Sequence, residues 1–141
     1  MSLNSIDQKR ELIFSDFAKI SDQDDRYRYL IKRSKANQEL TADEKLDKYL
    51  IEGCVSQVWL IPSYENKTIT FKYDSDALLV KGIVALLVDF FNGMTPQELT
   101  TIDMGFLSEL GIQDHLSMNR RNGLASIIKQ AKLYALVYST M

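Results

Sequence analysis

The chain has 141 residues, 45% hydrophobic and 26% charged, which suits a single domain, 1–141, that buries a core of its own. Seventeen basic residues against nineteen acidic ones, a net charge of -2, give no footprint for nucleic acid or an anionic membrane, and neither is expected as a partner. One cysteine excludes an internal disulfide framework.

In chain order, Ser5 opens a first helical pattern with apolar positions Leu12, Ile13, Phe17 and Ile20. The stretch "SDQDD" breaks it and starts a second helix, with Tyr27, Leu30 and Ile31 on one face. "SKANQELTADEK" is polar and reads as a surface connection. "KYLI" is a short strand candidate and "EGCVS" a turn. "QVWLIPSY" and "TITFKYD" are β-rich and joined by "ENK", which suits a hairpin, with Pro62 calling for a sheet edge or an early end. The triplet Asp74, Ser75 and Asp76 is expected to cap a helix over 77–91. That helix is apolar nearly all round, so it should be central; Lys81 and Asp89 make it too charged to span a bilayer.

Gly93 then ends one helix, Thr95 caps the next and Pro96 takes its first position. A short helical piece is expected over 106–110. A last helix starts near Ser117 or Asn119, with Leu124, Ile127, Ile128, Ala131 and 133–136 as its apolar side. The fold class is α+β: a small antiparallel sheet of about three strands with helices packed on it. Trp59, Phe71 and Tyr73 read as core. The opening residues carry charges where a secretion signal would be apolar, so the cytoplasm is the expected compartment.

The chemistry inventory is short. There is no glycine-rich phosphate loop, no HExxH pair and no nucleophile elbow. One Cys and one His cannot make a zinc or iron–sulfur ligand set, so no metal is expected. Cys54 is left as the one distinctive nucleophile. On its own it reads as a small buried thiol, and the functional alternatives are a redox-sensing single thiol or a hydrolytic dyad with His115. Arg120 and Arg121 open the last helix, where the helix dipole favours acids, which hints at another task for one of them.

"IEGCVSQVW" at 51–59 resembles the cysteine-containing signature of the SufE family, the sulfur acceptors of iron–sulfur cluster assembly. "DSDALLVKGIVAL" at 74–86 and "HLSMNRRNGL" at 115–124 resemble its second and third blocks, and "DDRYRYLIKR" its N-terminal helix. The chain departs from the family pattern at Gln23, Met118 and Asn119. The resemblance implies a fold similar to the IscU-type scaffold. It also implies that Cys54 accepts persulfide sulfur from a cysteine desulfurase of the SufS or CsdA type, then passes it to an iron–sulfur scaffold such as a SufBCD-type complex. On this view the chain is a carrier and activator rather than an enzyme, a monomer or weak dimer. It holds no cofactor itself, because pyridoxal phosphate belongs to the partner. Within the same blocks, Gly53, Ser56, Gln57, Asp74, Asp76, Lys81, His115 and Arg120 are implied to support the loop or meet the partner.

Overall fold

The computed structural model describes residues 8, 11–12, 15, 19–20, 22–35, 40–51, 56–102 and 118–141, and for 23, 34 and 118–122 the backbone alone. Ser5, Ile13, Phe17, the piece at 106–110 and Ser117 lie outside this set. Leu12 is helical but exposed, so it does not serve a core face as its spacing implied.

Helix α1 (Gln23–Ser34) starts where "SDQDD" placed a start. The Asp22 side chain accepts from the Asp24 and Asp25 N–H groups, which have no partner inside the helix, and Asp24 and Asp25 add charge favourable to the helix dipole. Its buried residue Leu30 meets helix α2 (Leu78–Phe91) at Gly82. A Cβ at Gly82 would lie 2.0 Å from the Leu30 carbonyl oxygen, so only glycine lets the two backbones approach this closely. An Arg33–Asp89 ion pair ties the far ends of the crossing together.

Strands β1 (Val58–Glu65) and β2 (Thr68–Ser75) form an antiparallel ribbon in the register Val58↔Ser75 through Glu65↔Thr68. The turn between them, Asn66 and Lys67, has φ of 53° and 65°, the pair of positive angles that matches the twist of a two-residue hairpin. Ile69, Phe71 and Tyr73 alternate onto one face with Val58 and Leu60 from β1. Helix α2 covers that face through Phe91 against Phe71, and its residues Lys81 to Val88, with Phe90 and Phe91, are buried. The expectation of a central, all-round apolar helix is met. Trp59 is buried as expected.

Among the described residues the sheet has two strands, not about three. The stretch "KYLI" does not make a strand. Residues Asp47–Tyr49 wind into a 3-10 turn, after which Leu50 makes a single bridge to Trp59 and the Ile51 N–H donates to the Val58 carbonyl. The other edge is covered by the turn after α2: Gly93 donates to the Ile69 carbonyl, Ile69 to the Met94 carbonyl, and Phe71 to Asn92 Oδ1. Because the Phe71 N–H points away from β1, its partner Pro62 sits in a pair that needs no N–H. Pro62 therefore does not end β1, which runs on to Glu65.

Gly93, at φ 90°, closes α2, and Thr95 caps α3 (Pro96–Thr101) with Pro96 in its first turn, as read from "NGMTPQEL"; Glu98 completes a capping box that the reading does not include. Helix α4 (Met118–Ser139) packs Leu124, Ile127, Ala131 and Ala135 into the core and stacks Tyr138 on Tyr64 of β1. Leu133 and Leu136, assigned by spacing to the apolar side, are exposed. The core is thus one layer of helices on one face of a ribbon, the arrangement expected of an α+β fold.

Candidate functional site

The site is built around both ends of the segment 52–57. On one side the Ile51 N–H donates to the Val58 carbonyl at 2.8 Å, beside the Leu50↔Trp59 bridge. On the other, the Gln57 N–H donates to Asp76 Oδ1 at 3.0 Å, and the Asp76 N–H donates to the Gln57 carbonyl at 3.3 Å. Ile51 and Gln57 are thus both held at the start of β1, one by Val58 and the other by Asp76. Cys54 and Gly53 belong to this segment and lie outside the described residues, as does His115. Ser56 is half-buried at the last step before the clasp. Arg120 lies in the first turns of α4, and its side chain is not among those described.

Asp74 and Asp76 do not cap α2, whose N-cap is Ala77 with no side-chain hydrogen bond. Ser75 Oγ accepts from the Ala77 N–H instead. Asp76 is engaged by Gln57. Asp74 is buried, and its carboxylate meets Lys81 Nζ at 3.1 Å, with side chains only 4% and 6% exposed. It also accepts from the Ser75 N–H at 2.8 Å and the Leu40 N–H at 3.1 Å, and Lys45 Nζ stands 3.5 Å away. Burial pushes the Asp74 carboxyl up. The Lys81 hydrogen bond, the Ser75 and Leu40 N–H groups and the Lys81 charge outweigh it, and the group stays below its ordinary value. Lys81 is thus held by Asp74, whereas the partner of Gln57 is Asp76.

Residues 40–45, read from "SKANQELTADEK" as a plain connection, are in fact strapped to the sheet. Leu40 and Lys45 bind Asp74, Glu44 pairs with Lys72 at 3.1 Å, and Lys45 Nζ lies 5.3 Å from the centre of the Trp59 ring. Hydrogen bonding from the Thr41 N–H, then from Lys72, holds the Glu44 carboxyl below its usual range. A signal was present in the sequence: "TADE" has the Ser/Thr-x-x-Glu spacing of a capping box, and Thr41 N–H does donate to Glu44 Oε1. Among the described residues no cluster of His, Cys, Asp and Glu is placed to hold a metal, and no helix is long and apolar enough to cross a membrane.

The single cysteine between two sheet clamps is the feature that known families can decide. Residues 11–135 match the SufE family, described as an Fe–S metabolism associated domain. The chain belongs to the SufE family. A SufE-like protein of Rhizobium meliloti is 36% identical over 135 residues, covering 92% of this chain and 94% of its own. A SufE-like protein of Rhizobium etli is 36% identical over 133 residues, 91% of this chain and 87% of that protein. One from Synechocystis is 33% identical over 126 residues, 89% and 79% respectively. In three dimensions the chain is similar to the solution structure of a hypothetical protein from Thermus thermophilus, with a TM-score of 0.77 over 94% of this chain and 97% of that one, at 16% identity. That likeness concerns the fold alone. Ile51 opens the stretch "IEGCVSQVW", and Asp76 lies in "DSDALLVKGIVAL" at 74–86, two of the stretches that carry the resemblance to SufE.

Proposed function

We propose that Cys54 is the sulfur acceptor of this SufE-family chain. The observation that carries the reading is that the lone cysteine stands in the segment whose two ends are fixed by Ile51–Val58 and Gln57–Asp76. Such an arrangement suits a thiol that must be offered to another protein from a rigid base. The donor is a pyridoxal-phosphate-dependent cysteine desulfurase of the SufS or CsdA type, which keeps that cofactor to itself. The receiver is an iron–sulfur scaffold of the SufBCD type, and the compartment is the cytoplasm.

Transfer is an exchange at sulfur. The Cys54 thiolate attacks the terminal sulfur of the donor persulfide, a new S–S bond forms, and the donor cysteine leaves as thiolate. One S–S bond is made and one broken, with no net oxidation. With one cysteine in the chain, no second thiol within it can strip the sulfur by forming an internal disulfide. The chain is a carrier and activator and has no turnover of its own.

The test is the intact mass after incubation with desulfurase and L-cysteine. The wild-type chain is expected to gain sulfur and to stimulate the desulfurase. Cys54→Ser should fold and bind the desulfurase while doing neither. Stimulation by the serine variant at the wild-type level would sink the reading.

A further inference from the structure

Helix α4 is apolar on two opposite sides. At about 100° per residue, Leu124, Ile127, Ala131 and Ala135 share the side that faces the core. Lys129, Leu133, Leu136 and Val137 share the other. There Leu133 is 44% exposed, Leu136 55% and Val137 61%. Single exposed apolar residues are ordinary, but three at helical spacing form a row that the fold itself does not need.

The row runs into a cleft. Between the Asp47–Tyr49 turn and α4 lies a cavity of about 480 Å³, lined in part by Lys48, Ile51, Lys129 and Leu133. Lys48 and Lys129 are exposed, and neither is in an ion pair among the described residues. Among the described residues Asp47 is the one acid in the lining, against the two lysines, in a chain whose total charge is -2. Lys129, Leu133 and Val137 follow one another at single-turn steps, so the cationic cleft and the apolar row form one continuous strip.

We infer that this strip docks an amphipathic helix of a partner protein that carries a carboxylate one turn before its apolar residues. The carboxylate enters the cleft between Lys48 and Lys129. The apolar residues lie along Leu133, Leu136 and Val137, ridge against groove. A helix fits because the strip repeats at helical spacing and offers no unpaired strand edge. An acid fits because, among the described residues, two lysines in the lining face one acid, Asp47, and neither lysine is in an ion pair. A second copy of the same strip would bring its own two lysines against one acid, Asp47, and so a lining of the same net sign. None of these residues lies in 52–57, so the inference goes beyond the sulfur reading and does not depend on it.

The probe is a fluorescein-labelled, side-chain-bridged helical peptide with Glu, Leu, Leu and Val at the spacing of Lys129, Leu133, Leu136 and Val137. Its control replaces Glu by Lys. Anisotropy should show binding of the Glu peptide, and Leu136→Asp should weaken it by about tenfold. Lys129→Glu should reverse the preference towards the Lys peptide. Both positions are solvent-exposed, and circular dichroism checks that the variants fold. Absence of binding, no effect of Leu136→Asp, or an unreversed preference would each overturn the inference. So would a dimer seen by sedimentation and dissolved by Leu136→Asp, since the strip would then be a self-association face.

Discussion

At the scale of single residues, Asp74 and Asp76 stand two apart and do different work. Asp74 sits in a dry pocket with Lys81, and removing one member of such a pair leaves the other charge without compensation. Asp74→Asn should cost about 3–5 kcal/mol, whereas the double replacement Asp74→Leu with Lys81→Met should recover most of it. Urea midpoints of the two variants decide this, and equal losses in both would refute it. The pH dependence has a definite sign. The folded-state carboxyl lies below its ordinary value, so it binds protons less readily than in the unfolded chain. Its contribution is full above the ordinary carboxylate range and is lost as pH falls through that range and below. Wild-type stability should drop on acidification by more than that of Asp74→Asn. Asp76 is exposed, and its two bonds to Gln57 are local. Asp76→Ala should change global stability by less than about 1 kcal/mol. It should nonetheless speed amide exchange at Gln57, and unchanged protection there would refute the clasp.

At the scale of elements, the α1–α2 crossing and the hairpin turn give opposite expectations. In an exposed helix, Gly→Ala gains up to about 1 kcal/mol. At Gly82 the new methyl would meet backbone atoms of Leu30, which cannot swing aside as a side chain can. The clash prevails, and Gly82→Ala should destabilise by about 1–3 kcal/mol, read as a lowered Tm. At Lys67, a left-handed φ of 65° costs a side-chain-bearing residue about 1–2 kcal/mol. Lys67→Gly removes that cost and adds unfolded-chain freedom, so a net gain of several tenths of a kcal/mol is expected, with a raised Tm. A lower Tm would show that the hairpin tolerates lysine there without strain.

Elements with strong local chemistry were legible in the sequence: the Asp22 start of α1, the Thr95 cap, the Asn66–Lys67 turn and the apolar α2. The expected third strand does not form because β propensity in Tyr49, Leu50 and Ile51 does not reveal that a 3-10 turn at 47–49 leaves only Leu50 and Ile51 to meet β1. Asp74 and Asp76 looked like caps because capping is a local signal. Their actual partners, Lys81, Leu40 and Gln57, lie up to 34 residues away and meet them only through the fold. Leu133 and Leu136 of α4 read as inward because they adjoin the inward Ala131 and Ala135 in an apolar run, which does not by itself say which side faces the core. The cysteine block itself was legible as a family signature, and so was the family.

At the scale of the whole molecule, α2 lies between α1 and the ribbon, and α4 shares the same core. Local openings should therefore spare α2 until the domain unfolds as a unit. Amides of Ile83, Val84, Leu86 and Leu87 are expected to exchange most slowly, at rates set by global stability. Equal protection at the exposed C-terminal turn of α4 would contradict this.

Trp59 is the only tryptophan in the chain, and it stands beside Leu50, Asp74 and Lys45. It bridges Leu50, pairs across the ribbon with Asp74, and lies under the Lys45 ammonium, two residues beyond Gln57. The molecule thus carries its own fluorophore, with a dry indole and a cation above it. Any event that lifts the 40–45 strap or parts the clamps should shift its emission, so partner engagement can be followed by light without a label.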